Sequence, residues 1–276
     1  MTQPRINNNA HLREVHRNLM VHTADANRQI EQVASGRRVN RSSDDPASLA
    51  LADGIRSEIR AMAEGTRNVQ QSIHMLQVTD GALSSMADML RRMHTLSVES
   101  ASTTYNDADR VGINKEFQVL KEEIDRIAQF TSFNGISILE EDVTFSIQAG
   151  PSETSNDVST IRIGNMRPGG PNLDVGHLAV GTQNDGQTAI NQVQKALDAV
   201  ISERNNIAAF QSRLEQSVST TDSILERMTN SESAIRDVDI AKAMSSFTRS
   251  QILAQTAASF AVEADVDIER VLSLLQ

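Results

Sequence analysis

Two adjacent aspartates, Asp44 and Asp45, stand in the stretch SGRRVNRSSDDPASLALADGIR, Ser35 to Arg56. Side-by-side carboxylates can share a proton or hold a divalent cation. Neither use finds its partners here, because no His, nucleophile or further carboxylate cluster adjoins the pair in sequence. The neighbours supply a simpler role. Ser42, Ser43, Asp44 and Asp45 are all N-cap residue types, and Pro46 follows at once. Proline suits the first helical position, since its missing N–H would be unpaired there, and acidic side chains favour the positive end of the helix dipole. Asp44, Asp45 and Pro46 are therefore expected to start a helix.

Other groups capable of chemistry are isolated. His11 and His16 are five residues apart, which does not set two imidazoles on one helix face as a four-residue step does. There is no glycine-rich phosphate loop and no GxSxG nucleophile motif. The stretch Gly150 to Asp157 offers Ser152, Glu153, Thr154 and Ser155 without a His or a metal-ligand cluster. In EFQVLKEEIDRI, Glu116 to Ile127, carboxylates lie near Lys121 and Arg126, a pattern expected to give helix-face ion pairs. Neither catalysis, a cofactor nor a bound metal is expected.

The elements that position these groups follow from composition and spacing. Aromatic residues make up 3% of the 276, with no Trp and one Tyr, so the bulky fillers of globular interiors are scarce. Ala, Leu, Ile, Val, Met, Glu, Gln and Arg prevail, the vocabulary of long helices. The net charge is −10, and although Arg37, Arg38 and Arg41 sit close together, no basic run is long enough to follow phosphates; nucleic acid is not an expected partner. Cysteine is absent, which removes disulfides and thiolate chemistry and suits a chain exported unfolded. The opening MTQPRINNNAHLREVHRNLM lacks an apolar h-region, so a Sec-type signal is not expected, and no apolar run is long enough for membrane insertion.

Helical periodicity dominates. From Ile190 one heptad register holds, with Ile190, Leu197, Val218 and Leu225 at one position and Val193, Val200, Ile207, Leu214 and Met228 at the other, interrupted by Arg204, Gln211 and Thr221. A second helix is expected from about Asp45 to Ser100, with Val69, Ile73, Leu76, Leu83, Leu90 and Met93 inward and Gly54, Gly65 and Gly81 as weak points. A third spans about Asp107 to Phe130 through Val111, Phe117, Leu120, Ile124 and Ile127. Alternation at Val143–Ile147 and Val158–Ile163 predicts a β-hairpin, followed by a Gly/Pro-rich connection to Gly186. Both ends carry apolar stripes: Leu12, Val15, Leu19, Ala26, Ile30 and Val33 near the start, and Val238, Ala241, Met244, Phe247, Ile252, Ala257 and Phe260 near the end. Lone amphipathic helices are marginal in water, so the ends must find each other or other copies. The expected fold is mainly α, an elongated antiparallel helical bundle or coiled coil with a small β-hairpin region and paired N- and C-terminal helices.

Seven blocks in order resemble bacterial flagellin. They are INNN (Ile6 to Asn9), ASGRRVNRSSDDPASLALADGIRSEI (Ala34 to Ile59), QVTDGALSSMADMLRRMHTLSVESA (Gln77 to Ala101) and EEIDRIAQFTSFNGISIL (Glu122 to Leu139), then RNNIAAFQSRLEQSV (Arg204 to Val218), SESAIRDVDIAKAMSSFTRSQILAQ (Ser231 to Gln255) and VLSLL (Val271 to Leu275). The resemblance implies a structural subunit of the flagellar filament, not an enzyme, with a hook-filament junction protein as the alternative. Residues 1–45 with 235–276 would form the inner terminal coiled coil, and 46–234 an outer bundle bearing the hairpin at about 140–165. Pro168 to Gly186 leaves no room for a variable outer domain. Glu263, Asp265 and Asp267 are more acidic than usual for the family.

Self-assembly would run through Leu12, Val15, Leu19, Ile30, Val33, Met244, Phe247, Ile252, Leu253, Phe260, Leu272 and Leu275. Implied partners are other copies or other flagellins, the flagellar type III export apparatus, a secretion chaperone covering Phe247 to Leu275, and cap and junction proteins. Arg92, Leu96 and Glu116 align with the family's contacts to the innate Toll-like receptor for flagellin. The implied location is the flagellum outside the cell, with sheathed and periplasmic filaments as variants.

Overall fold

A computed structural model describes residues 10–154 and 156–273. Among them are five helices, α1 (Ala10–Ser35), α2 (Pro46–Ala101), α3 (Asp107–Phe130), α4 (Gln183–Arg236) and α5 (Ile240–Ser273). Two small antiparallel strand pairs complete the order: β1 (Ser132–Phe133) with β2 (Ile136–Ser137), and β3 (Val143–Gln148) with β4 (Val158–Ile163). Packing divides the chain into two units. One joins the residues up to Ser57 with those from Arg227 on, and the other is Glu58–Glu226.

The Glu58–Glu226 unit holds the main apolar core. Val69, Leu76, Leu83, Leu90 and Met93 of α2 are buried against Phe117 and Ile124 of α3 and Val193, Val200, Ile207 and Leu214 of α4. The heptad seam of α4 is therefore the buried seam. Its polar interruption Arg204 is satisfied laterally, with Nε and Nη2 donating to the two carboxylate oxygens of Asp80 on α2 at 2.8 and 3.3 Å. The Arg204 guanidinium is held above its usual range by that carboxylate hydrogen bond.

Several expectations are corrected within this unit. Val111 is 54% exposed, and Arg110 takes the inward position instead, its Nε and Nη2 donating to the Ser100 and Ser102 carbonyls at the end of α2 at 3.0 and 2.9 Å. Unpaired carbonyls at a helix C-terminus favour a cation there. Among the described residues Lys121 makes no helix-face ion pair: its Nζ reaches the Gly176 and Leu178 carbonyls at 2.9 and 3.2 Å, and burial lowers its pKa. Arg126 does pair with Glu123 on the helix face, through Nε to Oε2 at 2.7 Å.

Gly65 is no weak point. A β-carbon there would stand 2.7 Å from the Ala149 carbonyl carbon and closer still to its oxygen, so the absent side chain lets the end of β3 lie against α2. The Gly/Pro-rich connection after β4 is packed too, since Met166, Leu173, Val175, Leu178 and Val180 all enter the core. The β1–β2 pair, two residues per strand, is too short to carry an alternation signal. Its turn is Asn134-Gly135 with both residues at positive φ, 50° and 78°, the left-handed conformation of a two-residue hairpin.

Candidate assembly surfaces

In the unit built from the two ends, the chain after α1 is clipped to the chain between α4 and α5. Gly36 leaves α1 at φ 69°. Its carbonyl accepts from the Val238 amide at 3.0 Å, while the Arg38 amide donates to the Arg236 carbonyl at 2.7 Å. Arg38 Nη2 adds a bond to the Ile235 carbonyl at 2.6 Å. Arg37 and Asp237 form an isolated antiparallel bridge. Two helices leaving one clip in this way run side by side, and α1 and α5 pack along each other.

That pairing divides the apolar residues of both helices. Val15 and Ala243 are buried, with Leu12, Leu19, Val33 and Phe247 half-buried. Ile30, Met244, Ile252, Leu253 and Phe260 are exposed, Ile252 at 56% and Phe260 at 60%. Met20, Val21 and Val262, which lie outside the two apolar stripes, join them. The side chain of Leu272, and Leu275 altogether, lie outside the described residues. A helix pair with this much uncovered apolar side chain buries only part of what its sequence makes available, and large exposed apolar areas mark interaction sites.

The two aspartates act separately. Asp45 Oδ1 accepts from the Ser48 amide at 3.0 Å, at the start of α2 on Pro46. Asp44 Oδ2 accepts from the Arg41 amide at 3.0 Å and the Asn40 amide at 3.3 Å, closing the turn before the helix. The Asp45 carboxyl lies below the ordinary aspartate range, chiefly through its hydrogen bonds from Ser48, with Arg38 adding a smaller attraction. Around them Arg41 Nε reaches Glu31 Oε1 at 2.9 Å, Arg236 Nη1 reaches Asp53 Oδ1 at 3.2 Å, and Arg56 pairs with Glu232. These groups order the clip and the helix start. Among the described residues no group of three or more His, Asp or Glu is placed to hold a metal ion.

On the Glu58–Glu226 unit, Arg92 Nε of α2 donates to Glu116 Oε1 of α3 at 2.7 Å, with both side chains about half exposed. Glu116 sits below the usual carboxylate range because of that bond, and Arg92 above its own. Leu96 does not share this surface. At 1% exposed its side chain is buried in the core, although the four-residue step from Arg92 keeps it on the same flank of α2, so the exposed part of the expected contact is Arg92 with Glu116.

The pattern of the bacterial flagellin N-terminal helical region matches residues 6–144, and that of the C-terminal helical region matches 190–275. The chain belongs to the bacterial flagellin family. It is 34% identical to a flagellin of Halalkalibacterium halodurans over 98% of this chain and 99% of that one. It is 33% identical to a flagellar filament 31.3 kDa core protein of Treponema maltophilum, over 90% of this chain and 92% of the other. A solved structure, the crystal structure of Bacillus cereus flagellin, is 28% identical with a TM-score of 0.49, covering 56% of this chain and 88% of that one. In this flagellin the N-terminal match takes in α1 to α3 and the start of β3, and the C-terminal match takes in most of α4 and all of α5. The residues between the two matches hold β4 and the packed connection. Among the described residues no helix is long and apolar enough to cross a membrane.

Proposed function

We propose that this flagellin is a structural subunit of the bacterial flagellar filament and polymerises through packing of its terminal helices against those of neighbouring copies. The observation that carries this is the exposed apolar series on α1 and α5, Met20, Ile30, Met244, Ile252, Leu253 and Phe260, left uncovered after the two helices have packed on each other. Burial of such surface between chains is favourable by about 25 cal/mol per Å² before the costs of association. Full-length matches to proteins named flagellin and filament core protein support the same role and give the junction-protein alternative no support.

Assembly of one kind of subunit into a filament needs heterologous contacts, each copy presenting one patch to a different patch on the next, so that the series stays open. In this proposal residues 1–45 and 235–276 form the inner part and 46–234 the outer part. The subunit leaves the cell through the flagellar type III export apparatus, with a chaperone covering the apolar segment from Phe247 on, and resides in the external flagellum with cap and junction proteins at the filament ends. Its work is structural, with no catalytic step.

The test compares the full chain with one lacking residues 1–45 and 235–276 after addition of a precipitant salt, which strengthens apolar burial. Light scattering should rise, with uniform filaments in electron micrographs, for the full chain alone. Equal behaviour of the two would overturn the proposal. The exposed Arg92–Glu116 pair favours a second reading, a surface for the innate Toll-like receptor for flagellin built on those two residues without Leu96. A reporter-cell assay in which purified monomer and its Arg92→Ala variant respond alike would remove it.

A further inference from the structure

The sequence has ten methionines and no cysteine, so an oxidant that attacks sulfur meets thioethers alone. The structure sorts those thioethers sharply. Met86 and Met93 are fully buried, Met75 and Met166 nearly so, and Met62, Met89 and Met228 are half-buried. Met20 on α1 is 72% exposed and Met244 on α5 is 43% exposed. Among the described residues these two are the exposed methionines, and both belong to the apolar series assigned above to subunit packing.

Reactivity and consequence therefore coincide. Oxidation rates of methionine follow exposure, and the product sulfoxide exchanges a flexible apolar side chain for a polar one. On an open surface that change is tolerated. In a dry contact between chains, the S–O group arrives without a hydrogen-bond partner and is penalised accordingly.

We propose that Met20 and Met244 form an oxidation-sensitive pair through which a peroxide blocks assembly of this flagellin; the proposal rests on the terminal-helix packing put forward above. The reacting thioether sulfur donates a lone pair to one oxygen of hydrogen peroxide. The S–O bond forms and the O–O bond breaks. The departing hydroxide takes the proton of the hydroxyl now bound to sulfur and leaves as water, so the product is the sulfoxide, sulfur is oxidised by two electrons and the peroxide is reduced. The same residues become inaccessible once they are packed between subunits, so a formed filament resists a treatment that disables its monomer. Methionine sulfoxide reductases reverse the change chemically.

The test uses the full chain as native protein and as the double variant Met20→Leu/Met244→Leu, which keeps volume and apolar character. Both monomers are treated with limiting hydrogen peroxide and quenched with free methionine, peptide masses locate each sulfoxide, circular dichroism checks the helices, and salt-induced polymerisation is followed by light scattering. The expected result is that sulfoxide in the native chain falls first on Met20 and Met244 and slows polymerisation by about tenfold or more, whereas the treated variant polymerises as its untreated form does. Polymerisation of native monomer oxidised at both positions at the untreated rate would overturn the proposal. So would an equal loss in the variant, which would place the damage at the half-buried or core methionines. Failure of untreated native chain to polymerise would instead strike the assembly reading itself, and this proposal with it.

Discussion

Arg204 of α4 grips Asp80 of α2 through two parallel hydrogen bonds, 2.8 and 3.3 Å long, at a heptad position where an apolar residue would ordinarily sit. The guanidinium fork matches the carboxylate, so a polar interruption of the seam becomes a fixed register mark between two long helices. Both side chains are about one-third exposed, which weakens the pair through solvent screening. Arg204→Ala should cost about 1 kcal/mol in urea unfolding, and Asp80→Ala a similar amount. The double variant should lose less than the sum of the two, the signature of a direct interaction. Additive losses would show that the residues act separately.

Gly65 predicts an inverted sign for a substitution that usually stabilises a helix. Gly→Ala in an open helix interior gains up to about 1 kcal/mol. Nothing lies within 4 Å of a β-carbon built at Gly54 or Gly81, so Ala should raise thermal stability at those positions. At Gly65 the β-carbon meets the Ala149 backbone, which cannot swing aside as a side chain would. Gly65→Ala should therefore destabilise by about 1–3 kcal/mol. A higher melting temperature for Gly65→Ala would contradict the close approach of β3 to α2.

Asp45 gives a pH dependence with a defined direction. Its carboxyl titrates below the usual aspartate value of 3.8 in the folded chain, chiefly because of the hydrogen bonds from Ser48. A depressed folded value means that the ionised form favours folding. The contribution is complete above the unfolded value and is lost as the pH falls through the folded one. Asp45→Ala should thus lower stability near neutral pH, and the gap between variant and native chain should close in acid below pH 3.8. Thermal melts at the two extremes check this, and a gap independent of pH would remove the carboxylate from the cap.

Local rules made most of the fold readable, and long-range packing accounts for the rest. The bounds of α3 at Asp107 and Phe130 follow from its periodicity and from the Asn106–Asp109 reciprocal cap. The strand β4 is readable from its alternation, and the heptads of α4 give its buried face. The Asn134-Gly135 dipeptide was a sufficient signal for the β1–β2 turn, overshadowed by the brevity of the strands beside it. Gly65, Lys121 and Arg110 could not be read locally, because the atoms that give them roles are the Ala149 backbone, the Gly176 and Leu178 carbonyls and the end of α2. For the candidate assembly surfaces, amphipathic spacing identified which terminal residues are apolar. It could not divide them into those that α1 and α5 bury between themselves, such as Val15, and those they leave outward, such as Ile252 and Phe260.

That outward set is where the assembly claim is most directly tested. Ile252→Glu/Phe260→Glu changes two exposed side chains of α5 that the α1–α5 packing leaves uncovered. Folding of the monomer should therefore survive, with helical circular dichroism matching the native chain, while two buried carboxylates per contact make subunit packing unfavourable. Sedimentation after salt addition is the measurement: native chain should pellet as uniform filaments, and the double variant should stay in the supernatant as monomer. Filaments formed by the variant at the native rate and yield would contradict assembly through the uncovered face of the terminal helices.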